Sequence, residues 1–251
     1  MSFQQGLSGL DVAAKNLDAI GNNIANASTI GYKSERAEFA DVFANSLSGG
    51  GGVQIGIGAK VAAVKQQFTQ GNIETTSNPL DVAINGDGFL VIQTAQGERY
   101  TRNGALEISP QGELVTSEGY QVLGDGGPIA FQNQDTGITI NQEGTISVKD
   151  PSNSTVAIVR GQLRVVSFAQ AQRLEKEGGS TFSAPADMPA SPSTKFKIVQ
   201  GALEKSNVQP IIEMSRMIEV SRAYAMIANL LQSRGDLFKT SIQQLADVPT
   251  S

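Results

Sequence analysis

An α+β fold is predicted for this chain: terminal helices pairing into a discontinuous coiled-coil domain, with an all-β domain between them. Two observations carry that prediction. The first is where glycine and proline fall. Of the 27 glycines, only Gly6, Gly9, Gly21 and Gly31 precede Gly49 and only Gly235 follows Gly201, and no proline precedes Pro79. Both residue types punctuate turns, so the middle reads as short strands and the ends as helices. The second is an apolar period of seven residues at each end, which over about three to four repeats signals a coiled coil. With 251 residues the chain holds one large domain or two small ones, at about 150 residues per domain.

In the N-terminal segment Phe3, Leu10, Leu17 and Ile24 follow one another by sevens, with Leu7, Ala14 and Gly21 at the complementary positions. The small residues Ala14 and Gly21 would admit a partner helix closely. Each glycine in the helix costs about 1 kcal/mol relative to alanine, so this helix should need a partner. The run SLSGGGG (Ser46–Gly52) reads as a flexible connector, because glycine-rich chain has little stiffness of its own.

The middle supplies apolar runs suited to strands: residues 80–84, 89–93, 105–108, 138–140, 145–148, 156–159 and 162–168. Asn85-Gly86, Asp87-Gly88, Asn103-Gly104 and Asp125-Gly126 supply the positive φ that tight hairpins require. Residues 183–193, with three prolines, read as a surface loop.

At the C-terminal end Pro210 suits the first helical turn, where its missing N–H would be unpaired anyway. Met217, Tyr224, Leu231, Phe238 and Leu245 are spaced by sevens, with Val220 and Ile227 three residues after the first two. Residues 211–232 should form the most stable helix, with a bend or fray expected at Arg234-Gly235. The expected boundaries are 1–35 with 205–251 for the coiled-coil domain, 36–52 for the connector and 53–204 for the β domain.

Composition excludes much chemistry. Cys, His and Trp are absent, and 24 acidic against 19 basic side chains give a net charge of −5. That removes disulfides, Cys or His zinc sites, thiol nucleophiles and His-based triads, and it gives no electrostatic footprint for nucleic acid. No P-loop is present, since Gly58-Ala-Lys60 lacks the required spacing. Asp87, Asp125 and Asp135 sit in turn sequences, where aspartate mostly serves backbone geometry. Glu213 with Arg216, and Glu219 with Arg222, are local helix pairs. No cofactor, metal or catalytic residue is expected. The first ten residues carry neither the basic cluster nor the apolar run of a secretory signal, and no stretch reaches the roughly 18 apolar residues of a membrane span.

The run NLDAIGNNIANASTIGYKS (Asn16–Ser34) resembles the N-terminal signature of the flagellar rod and hook family of bacterial axial proteins. Asn22, Asn23, Ala25, Asn26, Thr29, Gly31, Tyr32 and Lys33 meet its pattern. Residues 78–93 and 100–116 resemble the family's central β motifs, and residues 200–232 its C-terminal helix motif. The four motifs occur in the family's order over nearly the whole chain. The first 47 residues resemble a hook member. The chain has no room for a hook protein's further outer domain, and its length and C-terminal third suit a rod member, proximal before distal, with a short hook protein third.

The resemblance implies a structural subunit of the basal-body rod, in the periplasm-spanning part of the bacterial flagellum. Its terminal helices would pack in an axial tube that transmits torque and encloses an export channel. The implied partners are neighbouring copies, other rod or hook proteins and the flagellar type III export apparatus, with no nucleic acid and no membrane insertion. Phe3, Leu7, Leu10, Leu17, Ile24, Met217, Val220, Tyr224, Ile227, Leu231 and Phe238 would form the helix and subunit packing. Asn22, Asn23, Asn26 and Gly31 would shape the helix end and the exit toward the β domain, through caps and left-handed turns rather than chemistry, and Thr29 and Tyr32 belong to the same family motif. Outside the family, a soluble β-rich adhesin or binding module needs an exposed ligand cleft, and a β-rich enzyme needs two facing carboxylates.

Overall fold

A computed structural model describes residues 3–45, 54–150 and 156–246. Its elements are a helix at each end, α1 (Phe3–Ala25) and α2 (Pro210–Ala246), with strands between them. This is the predicted α+β class.

The chain divides into two compact units. The first holds α1, the strand pair of Glu35–Asn45 with Gln54–Gln66, and α2. Residues 36–45 were expected to belong to a connector and are instead strand. The partner strand carries Ile55, Ile57, Val61 and Val64, but Gly56, Gly58 and Ala59 interrupt its alternation and hide it from a pattern reading. The glycine-rich run Ser46–Gly52 lies outside the described residues.

Pro210 opens α2, and Gln209 O accepts from the Ile212 and Glu213 amides, both at 3.0 Å. The helix runs unbroken through Arg234-Gly235, so no break occurs there: one glycine costs only about 1 kcal/mol, and neighbouring Leu231 is held on α1. The close approach of the helices is not at Gly21, which has open space beside it. It is at Gly6, where an added Cβ would stand 2.6 Å from Leu231 Cδ2, and at Gly9, beside Ile227.

The second unit holds Asn26–Ser34 and Gln66–Val208. Its central strand, Phe89–Thr94, pairs antiparallel with Gly97–Thr101 and Gln121–Gly124. Leu90 and Ile92 enter one core cluster, with Val82, Leu106, Leu114 and Ile146. Phe89 and Val91 enter a second, with Tyr100, Leu123, Phe182 and Met188. Alternate side chains leave opposite faces of a strand, and here both faces are buried, which accounts for the unbroken apolar run FLVI. A three-stranded sheet of Thr136–Ile140, Thr145–Lys149 and Ala157–Gln162 packs Ile140, Ile146 and Val148 into the first cluster. Strand Phe196–Gln200 pairs with Val82–Gly86, and Ala202–Glu204 with Ile73–Thr75.

Two expectations are corrected. Residues 85–88 do not close a hairpin, because Val82–Gly86 and Phe89–Thr94 belong to different sheets; Gly86 (φ +107°) and Gly88 (φ +156°) turn the chain between them. Residues 183–193 are more than a surface loop: Met188 is buried in the second cluster, and Ser191-Pro192 pairs with Val165–Ser167.

Candidate functional site

The two helices offer the first candidate surface. On α2, Met217, Val220, Ile227 and Leu231 are partly buried on the side that carries the heptad. Tyr224 shares that stripe and is 39% exposed. On α1 the most buried positions are Gly6, Ala13, Ala19, Ile20 and Asn23, of which Gly6 lies directly against Leu231. Leu10, Leu17 and Ile24 are partly buried beside them, whereas Phe3 and Leu7 are exposed, at 62% and 55%. The Phe238 side chain lies outside the described residues. Leu7, Leu10, Ala14 and Tyr224 line a shallow groove together with Asp11. α2 also carries apolar side chains that α1 does not cover. Ile211, Met214 and Ile218 lie along one side, and Met226, Leu230 and Leu237 along another; all six are exposed.

The motif residues after α1 have defined tasks. Asn23 is buried and treats Glu35 as a strand neighbour would: its Nδ2 donates to Glu35 O at 2.9 Å and its Oδ1 accepts from Glu35 N at 2.7 Å. This fixes the start of the first strand to the last turns of the helix. Asn22 is exposed on the other side. Asn26 Oδ1 accepts from Thr29 Oγ1 at 3.1 Å and Asn26 O from Thr29 N at 3.1 Å, making a tight turn. Gly31 adopts φ +68°, and its amide donates to Glu204 O at 2.8 Å. Tyr32 is buried, with Lys176 Nζ 4.1 Å from its ring centre.

The next residue, Lys33, opens a cluster that the sequence reading did not assemble. Lys33, Arg102 and Glu204 are buried together in the second unit. Glu204 Oε1 accepts from Lys33 Nζ at 2.6 Å and from Gly71 N at 2.8 Å, and Oε2 accepts from Arg102 at 3.3 Å. Lys33 Nζ also donates to Thr69 O at 2.8 Å, and Arg102 Nη2 to Gly86 O at 2.9 Å. The Arg102 guanidinium stacks 5.2 Å from the Phe89 ring centre, and its Nε is buried without a hydrogen-bond partner among the described residues. Beside the cluster, Asn207 Oδ1 accepts from Ser34 N at 2.8 Å, while its Nδ2 donates to Gln67 O at 2.6 Å and Thr69 Oγ1 at 2.8 Å. Burial pushes the Lys33 ammonium below the usual lysine range, against the pull of Glu204. Burial also lowers Arg102, which stays protonated given how far above neutrality guanidinium titrates.

Three of the four sequence motifs thus meet at one point: Lys33 from the first, Arg102 from the second β motif and Glu204 from the C-terminal one. The fourth approaches it through Gly86 O. The available signal was a lysine, an arginine and a glutamate each inside a motif, but nothing in one sequence says that positions 33, 102 and 204 touch.

The cluster joins backbone segments, with its lysine and glutamate engaged by each other and by Gly71 N, Thr69 O and Arg102. Among the described residues no group of three or more His, Cys, Asp or Glu could hold a metal ion, and no helix is long and apolar enough to cross a membrane. Asp135, in its turn, is paired with Arg160 (Nε to Oδ2, 2.8 Å). The described charges fix backbone segments, and apolar side chains of α2 are left exposed.

Comparison with known proteins agrees. Residues 3–33 match the family described as flagella basal body rod protein, residues 83–148 the flagellar hook protein FlgE/F/G D1 domain, and residues 199–245 the flagellar basal body rod FlgEFG protein C-terminal. The flagellar basal-body rod protein FlgF of Caulobacter vibrioides is 35% identical over 248 residues, 97% of each chain. The FlgG of Borreliella burgdorferi is 35% identical over 251 aligned residues, 92% of this chain and 93% of its own. The FlgF of Salmonella typhimurium is 35% identical over 84% of this chain and 85% of its own. The chain belongs to the flagellar basal-body rod and hook family, whose members are structural parts of the flagellar basal body.

Proposed function

We propose that this chain is an FlgF-type subunit of the flagellar rod. It polymerises through α1 and α2 into the axial tube that transmits torque and encloses the export channel. The inner domain is formed by the two chain ends and the outer domain by the β region. The observation that carries this reading is α2, which bears apolar side chains on more sides than α1 covers. Ile211, Met214, Ile218, Met226, Leu230 and Leu237 are all exposed. At about 1.5–3 kcal/mol for each large apolar side chain fully buried, six supply roughly 9–18 kcal/mol gross. That figure is an upper bound, since the six are 45–81% exposed before packing. Against an association cost of about 4–15 kcal/mol, covering both sides is of the size needed and covering one falls short of most of that range. Neighbouring copies and other rod or hook proteins are the partners that would cover them, and the groove of Leu7, Leu10, Ala14 and Tyr224 is a receiving surface. Delivery through the flagellar type III export apparatus, in the unfolded state, suits a chain without cysteine.

The test is Ile218→Asp and Met226→Asp, separately. Each residue is exposed, so neither charge should lower the melting temperature of the free subunit. Each variant should be missing from isolated basal bodies. Normal incorporation of both would remove the reading.

A second reading, an FlgG-type distal-rod subunit, is favoured by the equal identity to the Borreliella FlgG. Complementation separates the two: an FlgF-type chain restores swimming to a strain lacking FlgF and not to one lacking FlgG.

A further inference from the structure

We infer that Lys33, Arg102 and Glu204 act as a single latch, so that residues 26–34, residues 66–72 and strand Ala202–Glu204 open and close together as one unit, separate from the β core. This concerns the isolated chain and does not rest on the assembly reading.

The pieces have little regular pairing of their own, and apart from the buried Tyr32 and the Ser180 Oγ bond to Ile30 O they are held through one another. Residues 26–34 contain no strand, and Ala202–Glu204 pairs over only three residues with Ile73–Thr75. What joins them is Glu204. Its backbone carbonyl accepts from Gly31 N, one carboxylate oxygen accepts from both Lys33 and Gly71 N, and the other accepts from Arg102. Asn207 adds a polar bridge from Ser34 N to Gln67 O and Thr69. Gln67 N returns to Ser34 O, and Lys205 N to Asn72 O.

The charges make the opening concerted. If residues 26–34 left alone, Glu204 would lose two donors, its Lys33 ion pair and the Gly31 amide. If the Glu204 strand left alone, Lys33 and Arg102 would face each other as buried cations without a carboxylate. A joint opening carries the Lys33–Glu204 pair out intact and separates only Arg102 from the carboxylate, whereas either partial opening splits that buried pair as well. Breaking a buried pair is strongly unfavourable, so each partial opening lies above the joint one. Arg102 stays with the core in both cases, held by Gly86 O and stacked on Phe89.

Native-state hydrogen exchange on the full chain in low urea tests the latch. The amides of Gly31, Ser34, Gln67, Gly71 and Lys205 are expected to share one opening free energy, below that of the strand amides at 90–92 and 122–123. Lys33→Met, which keeps an unbranched apolar stem and removes the ammonium, should speed all five by a common factor of at least ~10. The core amides should stay within about twofold, since they lie outside the opening unit. Glu204→Gln should have the larger effect, because it leaves two cations. Five unrelated opening energies in the wild-type protein would overturn the proposal. So would acceleration confined to Gly31 and Ser34, or an equal acceleration of core and latch amides. If a variant fails to fold, the wild-type energies alone decide.

Discussion

Replacing Gly31 with alanine should cost far more than an ordinary glycine substitution, and the structure gives the reasons. Gly31 sits at φ +68°, and an added Cβ would stand 2.5 Å from Asn103 N and 2.6 Å from Arg102 C. The left-handed conformation costs an L-residue about 1–2 kcal/mol. The clash is with backbone, which cannot rotate away as a side-chain tip can. Overpacking of that kind costs about 1–3 kcal/mol. Moving the segment aside would also break the Gly31 amide's bond to Glu204 O, worth about 0.5–1.5 kcal/mol net. Together these give roughly 2.5–6.5 kcal/mol, or a melting shift of roughly 5–26 °C for a domain of this size. Gly119→Ala is the control, because Gly119 has a similar φ of +86° but nothing within 4 Å of an added Cβ. It should lose only the conformational part, about 1–2 kcal/mol. Urea melts of the two variants make the comparison. Equal losses would refute the claim that residues 26–34 are wedged against the Arg102–Asn103 backbone.

Other outcomes are expected. Gly21→Ala should raise helix content and stability by about 1 kcal/mol, since its surroundings are open. In Gly6→Ala the same gain is offset against Leu231, and circular dichroism of the pair separates the two cases. The hydrogen bond from Arg160 holds the Asp135 carboxyl below the usual carboxylate range. The folded chain therefore keeps this group ionised at a pH where the unfolded chain has protonated it. Its contribution is present above the ordinary aspartate value and lost as pH falls through the folded one. Asp135→Asn should accordingly flatten the acid limb of a stability profile and lower stability at neutral pH. A chain of residues 26–208 with a short linker in place of 35–65 should melt cooperatively. One of residues 53–200, lacking Lys33 and Glu204, should melt at a lower temperature.

The sequence made some of this legible and not the rest. Helix ends, the seven strands marked by apolar runs and the α2 heptad are periodic or locally punctuated features. They survive because Met217, Val220, Ile227 and Leu231 need only one face of one helix. The stripe of α1 is harder to read, because its closest contacts are made by Gly6 and Gly9, residues that count as breaks in a pattern. Strands such as Gly97–Thr101 and Thr181–Ser183 are too short or too polar to stand out. The ionic cluster is a matter of contact between positions up to 171 apart in sequence, which no local spacing encodes. Family motifs marked its components without saying that they meet.

The most direct measurement is site-specific crosslinking inside assembled basal bodies, with a photoreactive residue at Ile218 or at Met226. If α2 is covered on both sides by neighbours, each position should capture another axial subunit, the same chain or another rod protein. Capture at neither position, in basal bodies that contain the labelled chain and turn normally, would contradict packing through α2.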